Sequence, residues 1–504
     1  MVVTNLGYVL MLILVSCGVA REALRSLPFR TVELFSVKDP RSGGVRGNPG
    51  LKLRLTRNGL NYINQVAGDI LNREIKKARI PDVKESFKKG YVEAKNVQIT
   101  KLQVPSYQYQ LTTPNRITWT ANRASISIKG DWKGKYKVTF AKFHGSGRFT
   151  ASANKVALSL SASMRKNGAG KPYLDNVGCR ASLSLSVRIK GGIVGWVLNK
   201  FKGKIARKLR PVLEKEVCKM AGKFVSTDIN NKLGTLPTDL KLNSKFEIDY
   251  RLVRDPVVGV NHLETLHQGK IDYKTKTAVW FYPHALRESG SESRMLYLWA
   301  SDFLPNTFLH HAHQQNVSQF KIDVVSLPIV GPYLRLNCSA KEICLGRVFP
   351  ELPQKYPGAK AWIELKTSTD PIIEFKPSVA KMTASGSLEI YIDFSKRPQL
   401  KLLKATLTGS ADLKPTLTSA EPPKVVGKID IKELRVVHVE EGKIRPKYMQ
   451  KFLNFAKPII QYQANYVLAK GLPIAVTKGV KVRNAELTLL NRTLQLATDL
   501  HYTG

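Results

Sequence analysis

The hydrophobic pattern of residues 48–90 predicts a strand followed by a long helix. Leu51 to Leu55 alternates apolar and basic residues, which is typical of a half-buried strand. Thr56 is a suitable N-cap, and apolar residues then recur every three or four positions from Leu60 to Ala78, as on one helix face. Ile80-Pro81-Asp82 ends the helix, because proline restricts the preceding residue and lacks an amide donor. The apolar helix face requires a surface to pack against.

Further along the chain, alternating positions predict strands and wider spacings predict more helices. Ser182 to Ile189 places aliphatic residues on one face and hydroxyl or basic residues on the other, as in a strand with one buried face. Helical spacing returns from Val194 to Phe224, from Pro305 to His313 and from Tyr448 to Lys470. We therefore predict an α+β protein with two copies of a twisted antiparallel sheet rolled around an apolar helix.

The length of 504 residues is too great for a single hydrophobic core and predicts at least two domains. The periodic pattern is lost between residues 235 and 265, where Pro237 and Asp255-Pro256 interrupt it, so we place the boundary there. The predicted divisions are a signal peptide at 1–20, a mobile extension at 21–46, a first domain at 47–248, a linker at 249–265 and a second domain at 266–504.

The first 20 residues have the features of a secretory signal peptide. The apolar run from Val9 to Val15 is too short to span a bilayer comfortably, and small residues follow it, although no basic residue precedes it. Leu14-Val15-Ser16-Cys17 also fits a bacterial lipoprotein cleavage box, which is the weaker interpretation. Since no later segment is long and apolar enough for a membrane span, we expect a soluble, secreted, extracellular protein.

Four cysteines remain once Cys17 is removed with the signal peptide, and an even number in an exported chain favours disulfides. Three connectivities are possible. Proximity in sequence favours Cys338–Cys344, which leaves Cys179–Cys218, and four buried thiols are the alternative. Export is weakly supported by glycosylation sequons at Asn316, Asn337 and Asn491.

The formal charge of +42, from 80 basic and 38 acidic residues, indicates an anionic partner such as lipid, acidic glycan or nucleic acid. The charge is concentrated in the first half of the chain. Residues 1–250 carry 45 Lys and Arg against 16 Asp and Glu, a net +29, and residues 101–200 carry 17 against 2. We therefore expect the anion-binding surface in the first half.

The stretch from Lys129 to Arg148 combines this charge with aromatic residues. If the chain turns around Gly134, the odd-numbered lysines share one face of a hairpin, and aromatic rings beside them suit a lipid interface. A solvated hairpin is the alternative, and nucleic-acid binding is less favoured because no recognised nucleic-acid-binding module accompanies the charge. The aromatic residues are Trp132, Tyr136, Phe140 and Phe143. The candidate anion-binding residues are Lys129, Lys133, Lys135, Lys137, Lys142 and Arg148.

The sequence contains no Gly-x-Ser-x-Gly elbow, no Walker phosphate-binding loop and no His-Glu-x-x-His motif. His310, His311 and His313 cluster, but no carboxylate or cysteine lies at ligand spacing, so we interpret them as surface histidines rather than a metal site. The sequence therefore favours a binding protein over an enzyme and calls for no metal.

Short fragments in a constant order along residues 47–504 carry a resemblance to a known family. They are Asn48-Pro49-Gly50, Gly59-Leu60, Tyr62, Ile80-Pro81-Asp82, Ser86-Phe87, Lys129 to Lys133, Val194-Gly195-Trp196, Arg294-Met295, Tyr297-Leu298, Ser301-Asp302-Phe303, Asn306-Thr307 and Lys470-Gly471-Leu472-Pro473. With them the chain resembles the group of bactericidal/permeability-increasing and lipopolysaccharide-binding proteins, which is related to the phospholipid and cholesteryl ester transfer proteins. Each fragment is weak alone, and their common order makes the resemblance specific.

This resemblance implies an elongated molecule of two barrels, each a twisted antiparallel sheet wrapped on helices, joined by a central sheet. It implies that each barrel holds a phospholipid between helix and sheet, without another cofactor, and that the basic tip of the first barrel binds lipopolysaccharide. Cys179 and Cys218 fall where the family has its single disulfide. At the tip, the resemblance adds the basic helix end to the hairpin, namely Arg73, Lys76, Lys77 and Arg79.

Three departures from the family bear mainly on the ligand. Asp131 stands where bactericidal members commonly have lysine, Cys338–Cys344 is additional, and residues 21–46 exceed the usual gap after the signal peptide. The expected function is a secreted protein that recognises lipid A and anionic bacterial membranes, holds phospholipid and serves antibacterial innate defence. The alternatives are a phospholipid carrier without a defence role and, less favoured, a secreted enzyme acting on anionic lipid. No nucleic-acid partner is expected.

Overall fold

The computed structural model divides the chain into two compact units. The N-terminal unit comprises residues 54–236 and 254–265, and the C-terminal unit comprises residues 237–253 and 266–504 together with the described residues up to 53. The segment 249–265, expected as a linker, contributes strand residues to both. The structure describes residues 39–77, 82–138, 141–190, 202–274, 278–325, 328–339, 342, 344–394, 397–420, 423–441, 446–473 and 480–503.

The described residues form antiparallel strands and a smaller number of helices, which confirms the predicted α+β class. The strands are β1 (Leu51–Leu55), β2 (Val83–Phe87), β3 (Gly90–Gln103), β4 (Ser106–Thr112), β5 (Arg116–Val138), β6 (Ala141–Lys166), β7 (Pro172–Lys190), β8 (Asp239–Lys241), β9 (Phe246–Asp249), β10 (Val257–Val258), β11 (Leu263–His267), β12 (Lys270–Tyr273), β13 (Leu296–Ser301), β14 (Gln319–Ile322), β15 (Lys360–Thr367), β16 (Ile372–Lys376), β17 (Val379–Phe394), β18 (Arg397–Leu417), β19 (Lys424–Glu441), β20 (Leu472–Pro473), β21 (Val480–Leu490) and β22 (Thr493–Tyr502). The α-helices are α1 (Arg57–Lys77), α2 (Lys202–Lys223), α3 (Asn230–Gly234), α4 (Phe303–Gln314), α5 (Leu345–Val348), α6 (Glu351–Lys355) and α7 (Pro446–Leu468).

The N-terminal unit is built on one antiparallel sheet with the strand order β2-β3-β5-β6-β7, and β4 also pairs with β5. Helix α1 begins where the sequence predicts, because the buried Thr56 hydroxyl lies 3.4 Å from the amide of Gly59 and acts as its N-cap. Helix α2 runs from Lys202 through Pro211, so the proline neither ends it nor begins a new helix. Residues 194–201 of the predicted second helix lie outside the described residues.

Strand β7 shows how the alternating pattern builds the core of this unit. Leu183, Val187 and Ile189 are buried, whereas Ser184 and Arg188 between them are exposed. Beside them, a small apolar cluster contains Val97, Trp132, Phe149 and Ala151. Cys179 on β7 is bonded to Cys218 on α2 with an S–S distance of 2.08 Å, which ties the strand to the helix as expected. The second expected pair, Cys338–Cys344, is also bonded, at 2.03 Å.

The C-terminal unit repeats the plan with a sheet ordered β14-β15-β17-β18-β19-β20, to which β16 is attached through β17. Among the described residues, its core cluster is larger than that of the N-terminal unit and includes the fully buried Ile390, Leu403 and Leu407 of adjacent strands. Helix α7 contributes Met449 and Ala464 to the same core. The predicted helices at Pro305 to His313 and Tyr448 to Lys470 are therefore confirmed, as α4 and α7.

Side-chain amides of α7 complete the hydrogen bonding of the free edge of β19. This strand pairs along its length with β18 and, among the described residues, with β20 at Lys424 and Val425. Along the rest of that edge, Asn465 accepts from the amide of Ile429 at 2.7 Å and donates to its carbonyl at 3.1 Å, while Gln461 accepts from Ile431 at 2.8 Å. The helix thus takes the place of a further strand, because a buried backbone group requires a partner.

Part of the segment expected as a mobile extension is packed against the C-terminal unit. Arg41 is 7% exposed and donates hydrogen bonds of 2.8 Å to Asp39 and to Asp370. Its guanidinium carbon also lies 4.8 Å from the ring centroid of Trp280. The expectation of mobility is therefore wrong for residues 39–46, because a buried guanidinium with two carboxylate partners holds the chain in place. The predicted signal peptide at 1–20 lies outside the described residues.

Within the described part of the chain, no helix is both long and apolar enough to cross a membrane.

Candidate anion-binding and lipid-binding sites

The basic stretch forms a hairpin of the two long strands β5 and β6, but its turn is not where the sequence placed it. Pairing continues to Val138 opposite Ala141, and Gly134 lies within the strand opposite Gly145. The prediction of a turn at Gly134 is therefore wrong. Glycine is required there by a close neighbour, since a Cβ at Gly134 would lie 2.9 Å from the carbonyl oxygen of Tyr91 on β3.

The cations of the hairpin nevertheless share one face, because strand alternation does not depend on where the turn lies. Along β5, Lys133 and Lys137 are exposed and Lys135 is half-buried, whereas Trp132 and Gly134 between them are buried. On β6, Lys142 stands opposite Lys137, and the exposed Arg148 stands opposite Asp131. We call the exposed or half-buried cations Lys129, Lys133, Lys135, Lys137, Lys142 and Arg148 the basic hairpin face.

The aromatic residues of the hairpin do not lie on this face as a group. Trp132 is 3% exposed, and its indole N–H donates to the carbonyl of Lys190 at 3.0 Å. Trp132 is therefore a core residue, and the expectation that it meets lipid is wrong. Phe143 is exposed and is available at the surface. The side chain of Tyr136 and the whole of Phe140 lie outside the described residues.

Two further lysines join the basic hairpin face at the turn between β2 and β3. Lys88 and Lys89 are exposed, and the carbonyl of Lys89 accepts a 2.7 Å hydrogen bond from the amide of Lys137. The sequence analysis missed them because they lie some 45 residues before the hairpin in the chain, and only the pairing of β3 with β5 brings them beside it. A Lys-Lys-Gly turn between two alternating segments was the available signal.

The acidic residues next to this face have local partners. Asp131 accepts a hydrogen bond of 2.9 Å from the side chain of Asn96, and Arg148 stands opposite it on β6. Glu93 on β3 is 3.4 Å from Lys95 and stands opposite Lys133. Both carboxylates lie on the side of the face away from the turn, so the segment from Lys135 to Lys142 holds the densest positive charge.

The basic end of α1 is described only in its backbone. Arg73, Lys76 and Lys77 lie on the last turns of the helix, and Arg79 lies outside the described residues. Just before them, Asn72 accepts a 2.7 Å hydrogen bond from the hydroxyl of Tyr107, which stands opposite Ala121 on β5. Lys133 lies 12 positions beyond Ala121 on the same strand, so these contacts do not place the helix end beside it. Its part in anion binding remains a prediction.

An apolar cavity of about 80 Å³ lies between α7 and the sheet of the C-terminal unit. Helix residues Phe452, Ala456 and Ile460 line one side, and Leu365 and Leu388 of the sheet line the other. The volume exceeds that of a single water molecule, and a lining without charged groups favours hydrocarbon over water. This is the space in which the described residues could hold part of an acyl chain.

The N-terminal unit presents a different kind of space, an open polar groove of about 500 Å³ between α1 and β4. Asn64 donates to the carbonyl of Tyr107 at 3.1 Å and accepts from the indole of Trp119 at 2.8 Å. The rings of Tyr107 and Trp119 stack at 4.8 Å. Burial, aided by the charge of Asp69, raises the pKa of Tyr107 to about 12, so its hydroxyl stays protonated and donates to Asn72.

The three histidines on α4 are not surface residues, which corrects their interpretation from sequence. His311 is 4% exposed, and the ring of His310 lies 2.6 Å from Asp370. His313 lies 2.6 Å from the hydroxyl of Thr367. Burial lowers the pKa of both His311 and His313 below the ordinary value, which favours their neutral forms. These contacts join α4 to the end of β15 and to the loop that carries Asp370.

Two family models together match most of this chain. The N-terminal domain model of the LBP / BPI / CETP family matches residues 59–236, and the C-terminal domain model matches residues 240–502. The chain belongs to this family. The two matches meet close to the division between the units at residues 236 and 237.

Relatives in the LBP / BPI / CETP family match along nearly the whole chain. The lipopolysaccharide-binding protein of Mus musculus is 26% identical over 472 residues, which cover 92% of this chain and 95% of that protein. The bactericidal permeability-increasing protein of Sebastes schlegelii is 23% identical and covers 91% and 96%. The phospholipid transfer protein of Homo sapiens is 23% identical over 73% of each chain.

A solved structure supports the same fold. The crystal structure of a lipopolysaccharide binding protein superposes with a TM-score of 0.57 at 23% identity, and covers 91% of this chain and 100% of that one. At this identity the likeness establishes the fold only. The ligand of this chain has to be inferred from its own residues.

The predicted glycosylation asparagines are exposed in this family member. Asn316 follows α4, Asn337 precedes the Cys338–Cys344 loop, and Asn491 lies in the turn between β21 and β22. Their exposure is compatible with the attachment of a glycan, and their modification stays a prediction.

Proposed function

We propose that this protein is a secreted, non-enzymatic lipid-binding protein of antibacterial innate defence, which recognises lipopolysaccharide and anionic bacterial membranes through the basic hairpin face. The observation that carries the proposal is the alignment of exposed cations along β5 and β6, with Lys88 and Lys89 beside them. Lipid A carries phosphate groups, and several cations on one stiff sheet can contact a multiply charged surface together. Phospholipid would occupy apolar pockets such as the cavity under α7.

The relatives support the same chemistry. Proteins named for binding lipopolysaccharide and for increasing bacterial permeability match more than nine-tenths of the chain. The net charge of +42 is also appropriate for a protein that must find anionic surfaces, since long-range attraction speeds association with them. The assignment of binding residues to the hairpin is based on the charge and geometry of this chain alone.

The decisive experiment is a charge reversal on the basic hairpin face. We expect Lys133→Glu, Lys135→Glu and Lys137→Glu together to weaken binding to lipopolysaccharide roughly a hundredfold, because each lost cation removes about 1 kcal/mol near an anionic surface. The matched control reverses three exposed lysines of the C-terminal unit, Lys360, Lys381 and Lys414, so that the net charge falls equally. Binding is measured on the full-length protein by surface plasmon resonance at two salt concentrations.

The control separates local contact from overall charge. The hairpin variant should lose affinity and much of its salt dependence, whereas the control variant should stay within a few-fold of the wild-type protein. Equal losses in both variants would show that net charge, and not this face, determines binding. An unchanged affinity in the hairpin variant, with an unchanged circular dichroism spectrum, would refute the proposal.

A second candidate function is that of a phospholipid carrier, and the apolar cavity under α7 favours it. Mass spectrometry of lipid extracted from the purified protein tests this directly. Ala456→Trp should fill the cavity and lower the amount of phospholipid bound, whereas Ala469→Trp, at an exposed position just beyond the same helix, should leave it unchanged. A protein that contains no phospholipid, and takes up none from vesicles, would exclude the carrier function.

A further inference from the structure

Helix α7 carries a row of exposed tyrosines on its outer side. Tyr448, Tyr462 and Tyr466 are 43%, 63% and 57% exposed. At 3.6 residues per turn, steps of 14 and 18 residues place all three within an arc of roughly 40° on the helix, over a length of about 27 Å. We call these three residues the tyrosine stripe. A helix that packs on a core normally presents charged and small polar residues on this side instead.

The rotation of α7 is fixed by the rest of the helix, so the stripe cannot turn inward. Met449, Leu453 and Ala464 lie roughly 100°, 140° and 160° around the helix from Tyr448. They are at most 2% exposed and belong to the core cluster. On the flank, Gln450 accepts from the amide of Val436 at 2.9 Å and donates to the carbonyl of Leu434 at 2.8 Å. With the bonds of Gln461 and Asn465 to the same strand, the helix is held at three levels. Exposure of the stripe therefore follows from the fold.

The surroundings of the stripe are basic. Helix α7 contains three lysines and no acidic residue. The ammonium group of Lys451 lies 5.9 Å from the ring centroid of Tyr448, and that of Lys470 lies 4.7 Å from the ring centroid of Tyr466. The neighbouring strand β19 does carry acidic residues, but two of them are paired along the strand, Asp430 with Lys432 and Glu433 with Arg435. The stripe thus combines aromatic rings with net positive charge.

We propose that the tyrosine stripe, with Lys447, Lys451 and Lys470, is a membrane-docking surface on which α7 lies in the headgroup layer of an anionic lipid bilayer. Tyrosine suits this layer, because the ring enters the apolar boundary while the hydroxyl stays among polar groups. Lysine stems extend over the same boundary and place ammonium groups near lipid phosphates. A basic helix with one aromatic side has the composition of helices that lie in the interface plane.

The cavity beneath the helix gives this surface a direct connection to lipid binding. Ala456 and Ile460 line the apolar cavity and lie on the same helix as the stripe. A membrane held against the outer side of α7 would therefore be one helix diameter away from the cavity. This proposal extends the proposed lipid-binding function to a second surface, made of residues outside the basic hairpin face. The two surfaces can be tested separately.

The first test measures binding of the full-length protein to vesicles of phosphatidylcholine with and without phosphatidylglycerol, by flotation. The stripe variant carries Tyr448→Ser, Tyr462→Ser and Tyr466→Ser. The matched control replaces three exposed residues elsewhere, Val260, Tyr282 and Val325, by serine. We expect roughly a tenfold loss of affinity for the anionic vesicles in the stripe variant alone, since three rings leave the interface. Replacement of the three tyrosines by tryptophan should preserve binding.

The second test locates the contact. Tyr462→Cys labelled with a polarity-sensitive fluorophore should shift its emission to the blue on anionic vesicles, whereas a label at Val260→Cys should not. The shift at position 462 should persist in bound molecules that also carry the three lysine-to-glutamate changes of the hairpin. A failure of the hairpin proposal would leave this shift intact, so the two outcomes are distinguishable.

Three results would overturn the proposal. The first is an unchanged emission at position 462 in vesicle-bound protein. The second is an equal shift at positions 462 and 260, which would indicate unspecific adsorption. The third is a shift that grows with protein concentration in the absence of lipid, which would show that a second copy of the chain covers the stripe.

Discussion

Replacement of Asn465 by alanine tests the interpretation that α7 closes the edge of β19. Asn465 accepts from the amide of Ile429 at 2.7 Å and donates to its carbonyl at 3.1 Å, and the Ile429 side chain is fully buried. In Asn465→Ala both backbone groups lose their partner. An unsatisfied buried group costs about 1–3 kcal/mol, so we expect a local destabilisation of about 3 kcal/mol. Exchange of the amide hydrogens around Ile429 should accelerate roughly a hundredfold, because that free energy favours the open state.

The control for this prediction is Asn454→Ala, the same substitution 11 positions earlier on the same helix. Asn454 is exposed and accepts one hydrogen bond from Gln450, which keeps its bond to the carbonyl of Leu434 when Asn454 is lost. Hydrogen-exchange mass spectrometry of peptides from β19 compares the two variants with the wild-type protein. If the exchange of residues 429–431 in Asn465→Ala stays within threefold of that in Asn454→Ala, the helix does not stabilise this edge as described.

Two further predictions concern the disulfides and the N-terminal segment. Cys179 and Cys218 are 39 residues apart, and their replacement by serine should lower the free energy of unfolding, measured in urea, by about 4 kcal/mol. Replacement of Cys338 and Cys344, which are 6 residues apart, should lower it by about 2 kcal/mol. The difference arises because a larger closed loop constrains the unfolded chain more. Equal losses would contradict this ranking. Burial raises the pKa of Asp370, but hydrogen bonds from His310 and Arg41 outweigh this effect and hold the pKa below its ordinary value. The stabilisation is therefore present above the ordinary pKa of the unfolded chain and is lost as the pH falls through the lowered value. In the wild-type protein, the protection of residues 39–47 from hydrogen exchange should therefore decrease when the pH is lowered below about 4. In Asp370→Asn the protection should be low at all pH values. Protection that stays high in that variant would refute the role of Asp370.

The local parts of the fold could be predicted from sequence because they depend on neighbours in the chain. The start of α1 follows from the Thr56 cap, and the buried face of β7 follows from its alternation. The placement of Lys133 and Lys137 on one face could be predicted in the same way, because it depends only on the alternation of side chains within one strand. These predictions did not require knowledge of how the strands pair.

The features that sequence did not reveal depend on distant residues. In sequence Gly134 is a turn signal, but in the structure glycine is needed there because the backbone of Tyr91 on the adjacent strand approaches it closely. The sequence favours a lipid interface for Trp132, but its side chain is buried and donates to the carbonyl of Lys190, 58 positions away. Asn465 gives no sequence signal for its role, since its partner Ile429 is 36 residues earlier. Only the strand register and the helix docking bring these pairs together.

Both units use helix side chains to complete strand backbones, and this has a consequence for lipid binding. In the N-terminal unit, Asn64 on α1 donates to Tyr107 on β4, and Asn230 on α3 accepts from the amide of Leu174 on β7 at 2.7 Å and donates to its carbonyl at 2.9 Å. Asn465 does the same for β19 in the C-terminal unit. A further strand at these positions would pair with the edge strand and leave no space between the sheet and its helix. An amide instead holds the helix through a few specific bonds while apolar space can remain beneath it, as under α7. The same bonds fix which side of the helix faces outward, and so the placement of the tyrosine stripe follows from the way in which the sheet edge is completed.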